Sequence, residues 1–210
     1  AARAPSRVRN LVTLGTPIAC RKTGVTAAWS RLFPVEAFVT AAGQVPAGFA
    51  HAGFATLAAM RPMGWWRAFG ADMASAGGRE VVAAVRHWIG DGVPISGPAY
   101  RDLVARCYRQ DALLRGTLEI GGAPVSLRDV TASLLIVVAA HDHLAPAKAA
   151  LPLGVLAATE DVSSLRVPGS HLGAVVGHDA PARLWGPLAD WITARSAPEA
   201  GARLPGRAPA

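Results

Sequence analysis

The 210-residue chain is 51% hydrophobic and 17% charged, enough apolar material for one well-buried domain. No apolar run approaches the roughly 18 residues that span a bilayer, and the Arg-rich first ten residues lack the core of a signal peptide. The two cysteines, Cys20 and Cys107, are far apart in sequence, so a disulfide framework is not indicated; a cytoplasmic protein with no transmembrane segment is expected.

The net charge of +7 rests on 19 arginines and two lysines, Lys22 and Lys148. They are scattered, without the basic, aromatic-interleaved stripe of a nucleic-acid binder, so no nucleic-acid partner is expected. What remains is a weak preference for an anionic partner such as a nucleotide-bearing substrate.

Residues 8–14 read as a short buried strand ended by Gly15-Thr16-Pro17. Residues 18–115 contain no comparable β run and read as a mostly helical block, with helices over about 54–69, 79–89 and 99–114. In the second, Val81, Val82, Val85, Trp88 and Ile89 recur at helical spacing. Residues 116–127 suggest a hairpin turning at Gly121-Gly122. Residues 133–140 form a continuous apolar run, the pattern of a strand covered on both faces. A helix over about 147–157, a strand over 164–167 and a helix over about 180–193 follow. Strand, helix, strand, helix in the last third predicts a parallel α/β sheet. The Ala/Pro/Gly/Arg-rich stretch 196–210 reads as a disordered tail.

Ligand and catalytic groups of parallel α/β sheets gather at the carboxyl ends of the strands. Two loops at such ends carry titratable residues: His141-Asp142-His143-Leu144-Ala145-Pro146 and Pro168-Gly169-Ser170-His171-Leu172-Gly173. One helix separates them, so their strands are expected side by side or nearly so, with Asp142 able to reach His171. An acid so placed fixes the imidazole tautomer and stabilises the imidazolium formed in catalysis. The order, acid and then histidine near the C-terminus, is that of α/β-hydrolases, whose nucleophile precedes both.

No Gly-x-Ser-x-Gly or Gly-x-Cys-x-Gly elbow occurs in the sequence. Cys20 lacks flanking glycines and Cys107 falls in a predicted helix, so both read as structural rather than nucleophilic. Ser170 lies beside the histidine, not at an elbow. The expectation is therefore that the nucleophile lies outside these residues. His141-Asp142-His143 resembles the start of a metal site but has no further ligands in other loops, and no metal is expected. His143 is a candidate supporting residue beside the pair. His51, His87 and His178 read as surface or packing residues; Trp65-Trp66 reads first as core, with an oligomer contact or a wall of an acyl pocket as alternatives.

Several segments resemble the C-terminal part of polyhydroxyalkanoate synthases. They are residues 8–17; Val45-Pro46-Ala47-Gly48-Phe49; Trp88-Ile89-Gly90-Asp91-Gly92-Val93-Pro94; Tyr108-Arg109-Gln110 through Leu114-Arg115-Gly116; Asp142 to Pro146; and Gly169 to Gly173. The ordered set runs from about 8 to 195. The resemblance implies an α/β-hydrolase-type parallel sheet, its C-terminal portion only, from residues 1–17 and 116–195, with a helical cap over 18–115. It implies a Cys–His–Asp acyltransferase that polymerises (R)-3-hydroxyacyl-CoA into polyester with release of CoA. Asp142 and His171 would take the acid and base roles, with no cofactor beyond the CoA-thioester substrate. The implied partners are a polyester granule surface and a second subunit, in a homodimer or paired with another synthase subunit. Without the family's Gly-x-Cys-x-Gly elbow, the chain is expected to be an N-terminally truncated portion, inactive by itself. An ordinary esterase or thioesterase, or a non-catalytic granule-associated or subunit-pairing domain, are the alternatives.

Overall fold

The computed structural model describes residues 1–49, 52–53 and 76–196, with only the backbone of Ala76 and Ile89. The expected helix over 54–69, His51, Trp65-Trp66 and residues 197–210 of the expected tail lie outside these residues.

The order begins with β1 (Asn10–Leu14), α1 (Val25–Leu32), α2 (Val35–Ala42) and β2 (Gln44–Val45). Next come α3 (Ala76–Gly90), β3 (Ile95–Ser96), α4 (Gly97–Asp102) with a π-helical continuation over Leu103–Arg109, and α5 (Ala112–Arg115). The hairpin β4 (Leu118–Ile120) and β5 (Ala123–Val125) leads to β6 (Ser133–Ala139). The described residues end through α6 (Ala147–Ala150), α7 (Pro152–Leu156), β7 (Val162–Val167), α8 (Gly173–Val176) and α9 (Gly186–Ser196).

Three strands, in the order β1-β6-β7 and all parallel, form the sheet that carries the site. Leu14 pairs with Val137 and Ala139 with Val167, so the three carboxyl ends finish close together. The apolar run of β6 serves both faces by strict alternation. Leu134, Ile136 and Val138 pack with Ile18, Leu127, Ala150 and Leu153 on one side. Leu135, Val137 and Ala139 pack with Val167, Ala174 and Leu184 on the other. Each large side chain so buried contributes about 1.5–3 kcal/mol, which is why β6 occupies the middle. A parallel sheet flanked by helices, with a mostly helical insertion between its first two strands, is an α/β-hydrolase-like fold. On its far side β1 pairs with no other strand among the described residues.

In the helical insertion, Val35, Val39 and Val104 form a small second core against Phe33, Phe38 and Tyr100. Arg109 straps it, donating from Nε to the Ser30 carbonyl at 2.7 Å and from Nη2 to the Phe33 carbonyl. The short helices α1 and α2 are not among the periodic segments singled out in the sequence. The insertion also contains a two-residue antiparallel ladder, β2 with β3.

The helix expected over 99–114 is broken. Asp111 has φ +51°, and its buried carboxylate accepts from the Arg21 N–H at 2.9 Å, ending one helical stretch before α5 begins. The helix expected over 147–157 divides at Leu151-Pro152 into α6 and α7, since proline lacks the N–H that would continue it. Ser196, expected in the tail, is the last residue of α9, and its Oγ accepts from Asn10 Nδ2 at 3.1 Å. Among the described residues no helix is long and apolar enough to cross a membrane.

Candidate active site

Beyond the last strand residues the ladder between β6 and β7 continues into their loops. The Ala140 N–H donates to the Val167 carbonyl at 2.8 Å, and the His141 N–H to the Gly169 carbonyl at 3.0 Å. Gly169 has φ +106°, a conformation closed to most side-chain-bearing residues, and this lets the loop turn directly after the second bond. The acid and histidine loops are thereby stitched together by backbone before any side chain is considered.

Asp142 follows immediately. Its side chain is fully buried and both oxygens are used. Oδ1 accepts from the N–H groups of Leu144 and Ala145, each at 2.8 Å, an Asx-type turn that locks the carboxylate to its own loop. Oδ2 lies 2.7 Å from Nδ1 of His171. Burial works to raise the Asp142 carboxyl, but the His171 hydrogen bond, the Ala145 and Leu144 N–H groups and the imidazole's charge outweigh it. The carboxyl is held below its usual range and stays ionised.

His171 is the more open partner, with its side chain 29% exposed. Because Nδ1 faces a carboxylate, the neutral ring carries its proton there, leaving Nε2 as the nitrogen able to accept one. The structure thus brings together the two residues that the sequence paired across two loops.

The other candidates fall elsewhere. His143 is exposed and hydrogen-bonds to neither member of the pair. Ser170 Oγ accepts from the Gly173 N–H at 3.3 Å, a bond that shapes the histidine loop. Cys20 is buried, and burial first, with Cys107 and Asp111 adding to it, pushes its thiol up to about 12. Burial also raises the Cys107 thiol, helped by Asp102 and Asp111 against the opposing effect of Arg106. A nucleophilic thiol needs the reverse shift. Among the described residues no three His, Cys, Asp or Glu side chains gather as metal ligands. Sequence reasoning missed the two N–H groups that anchor Asp142; the signal was a short acidic side chain two and three residues before amides in a tight loop.

No protein-family model matches the chain. It is 28% identical over 155 residues to the poly(3-hydroxyalkanoate) polymerase subunit PhaC of Haloarcula marismortui, a match covering 73% of this chain and 33% of that protein. The corresponding subunit of Haloferax mediterranei is 27% identical over 201 residues, 93% of this chain and 41% of the relative. That of Allochromatium vinosum is 26% identical over 193 residues, 91% of this chain and 54% of the relative. The chain is distantly similar to these polymerase subunits along most of its length. It spans between 33% and 54% of the length of these three. Among solved structures, proline iminopeptidase from Mycobacterium smegmatis aligns over 93% of this chain and 60% of its own, at 18% identity and a TM-score of 0.40.

Proposed function

We propose that Asp142 and His171 are the acid and base of a polyhydroxyalkanoate synthase-type acyltransferase, acting with a cysteine that lies outside these 210 residues. The observation that carries this reading is the 2.7 Å bond between His171 Nδ1 and a fully buried, ionised Asp142, with Nε2 left uncommitted. The similarity to polymerase subunits along most of the chain supports the choice of acyl transfer over other triad chemistry.

In this reading Nε2 takes the thiol proton, and the thiolate attacks the thioester carbonyl of (R)-3-hydroxyacyl-CoA. The carbonyl carbon–sulfur bond to CoA breaks, and the imidazolium returns its proton to the departing CoA thiolate. A 3-hydroxyl group then gives its proton to the imidazole and attacks the enzyme-bound acyl carbonyl; the new ester bond extends the polyester, the acyl carbon–sulfur bond to the cysteine breaks, and the imidazolium returns its proton to the cysteine thiolate. Asp142 stabilises each imidazolium in turn without itself being protonated. The polyester granule surface is the expected place of work.

A chimaera tests this: the N-terminal part of a polymerase subunit, through its Gly-x-Cys-x-Gly turn and the following helix, joined to this chain. The expected result is CoA release with oligomer formation, abolished by His171→Ala, and none from the 210 residues alone. Release of free 3-hydroxy acid instead of oligomer would favour an esterase or thioesterase. A folded chimaera whose CoA release ignores His171→Ala contradicts the proposal.

One observation favours a second reading, a non-catalytic pairing domain. The far edge of β1 carries no strand among the described residues, and such an edge is a template for another chain's strand. Pairing would involve another copy or a complete synthase subunit. Tight association with a synthase subunit that leaves the latter's CoA release unchanged when His171 is replaced would select it.

A further inference from the structure

We propose that Gly15 is a positioning residue for the Asp142–His171 pair: its missing side chain is the space in which their hydrogen bond is made. The proposal rests on the reading of that pair given above.

Gly15 directly follows β1, and its N–H donates to the Val137 carbonyl at 3.0 Å, so its place beside β6 is fixed. Its φ is +50°, in the left-handed region that disfavours residues with a Cβ. The surroundings demand more than the backbone does. A Cβ on Gly15 would stand 3.0 Å from both Cε1 and Nδ1 of His171, and 3.2 Å from Oδ2 of Asp142. Nδ1 and Oδ2 are the two atoms of the catalytic-type bond, and ordinary carbon contacts lie near 3.5–4.0 Å.

An added methyl group therefore presses on the pair from the β1 side, and only one partner can yield. Asp142 is tied through Oδ1 to two backbone N–H groups, and its side chain is fully buried. His171 has solvent beside it and, among the described residues, no second hydrogen bond to hold its ring. The imidazole must give by a few tenths of an ångström, and the bond to Oδ2 lengthens. Gly15 thus acts through His171 and not on any substrate.

The two demands on Gly15, backbone and space, can be separated within this molecule. Gly116, which caps α5, is also left-handed with φ +69°, yet a Cβ there meets nothing within 4 Å. Gly116→Ala carries the backbone cost alone; Gly15→Ala carries that cost and the collision.

The test follows the Asp142 carboxyl titration and the His171 tautomer by NMR in the 210-residue chain, in wild type, Gly15→Ala and Gly116→Ala. In wild type and Gly116→Ala, Asp142 should titrate below the ordinary carboxylate range, with the His171 proton fixed on Nδ1. In Gly15→Ala the Asp142 titration should move up toward that of an ordinary aspartate and the fixed Nδ1 proton should be lost. A folded Gly15→Ala chain matching wild type in both readouts overturns the inference and leaves the proposed function standing. A wild-type Asp142 that titrates like an ordinary aspartate overturns both. Should Gly15→Ala fail to fold, the double variant Gly15→Ala/His171→Ala should recover folding because the ring is gone; a double variant as unfolded as the single one overturns the inference.

Discussion

The two loops that build the site are held in unequal ways. Asp142 has three hydrogen bonds, two of them to amides of its own loop, and no solvent contact for its side chain. Among the described residues His171 has one, to Asp142, and it is open to solvent over more than a quarter of its side chain. The acid is part of the scaffold, and the imidazole is a part mounted on it. A base that must collect and return protons needs such freedom at one nitrogen; an acid that orients it does not.

Substitutions should register this inequality. Asp142→Ala should cost most, about 2–4 kcal/mol in urea unfolding, because the Leu144 and Ala145 N–H groups lose their buried acceptor. Asp142→Asn keeps an oxygen for those two donors and should cost about 1 kcal/mol, while in the chimaera it should cut CoA release about 10⁴-fold by favouring the wrong tautomer. His171→Ala should change stability by no more than about 1 kcal/mol, while in the chimaera it should abolish CoA release. A His171→Ala loss as large as that of Asp142→Ala would break the comparison.

The acid limb of stability sharpens it. The Asp142 carboxyl is depressed in the folded state, so its contribution is complete above the ordinary unfolded value near pH 4. That contribution is lost as pH falls through the lower folded value. Asp142→Asn should therefore flatten the decline in stability below about pH 4, measured by urea midpoints at successive pH values. His171→Ala should flatten it in part, since the two N–H bonds remain. The smallest effect, within about 0.5 kcal/mol, is expected for Ser170→Ala, which loses one hydroxyl bonded to the Gly173 N–H.

Much of this site was legible from the sequence because its determinants are local. The unbroken apolar run of residues 133–140 announces a strand buried on both faces, and β6 divides its side chains between two cores accordingly. A short helical crossover between two loop-bearing strands, expected as one helix and found as two, favours their being neighbours, and β6 and β7 pair in parallel. What stayed hidden depends on contacts between distant parts of the chain. Gly15 reads as a strand terminator because the atoms that crowd it belong to residues far along the chain. Asp111 reads as an ordinary helix residue because its left-handed backbone answers to the Arg21 N–H across the fold. His143, adjacent in sequence to the acid, is turned outward, since neighbouring residues in a loop need not share a direction.

Whether Asp142 sets His171 as a base through Nδ1 can be read from the ring-nitrogen NMR signals of His171 in the 210-residue chain at a pH where the ring is neutral. The expected result is a proton fixed on Nδ1 with Nε2 unprotonated, reversed by Asp142→Asn. A wild-type ring carrying its proton on Nε2, or exchanging between the two tautomers like a free imidazole, would contradict it.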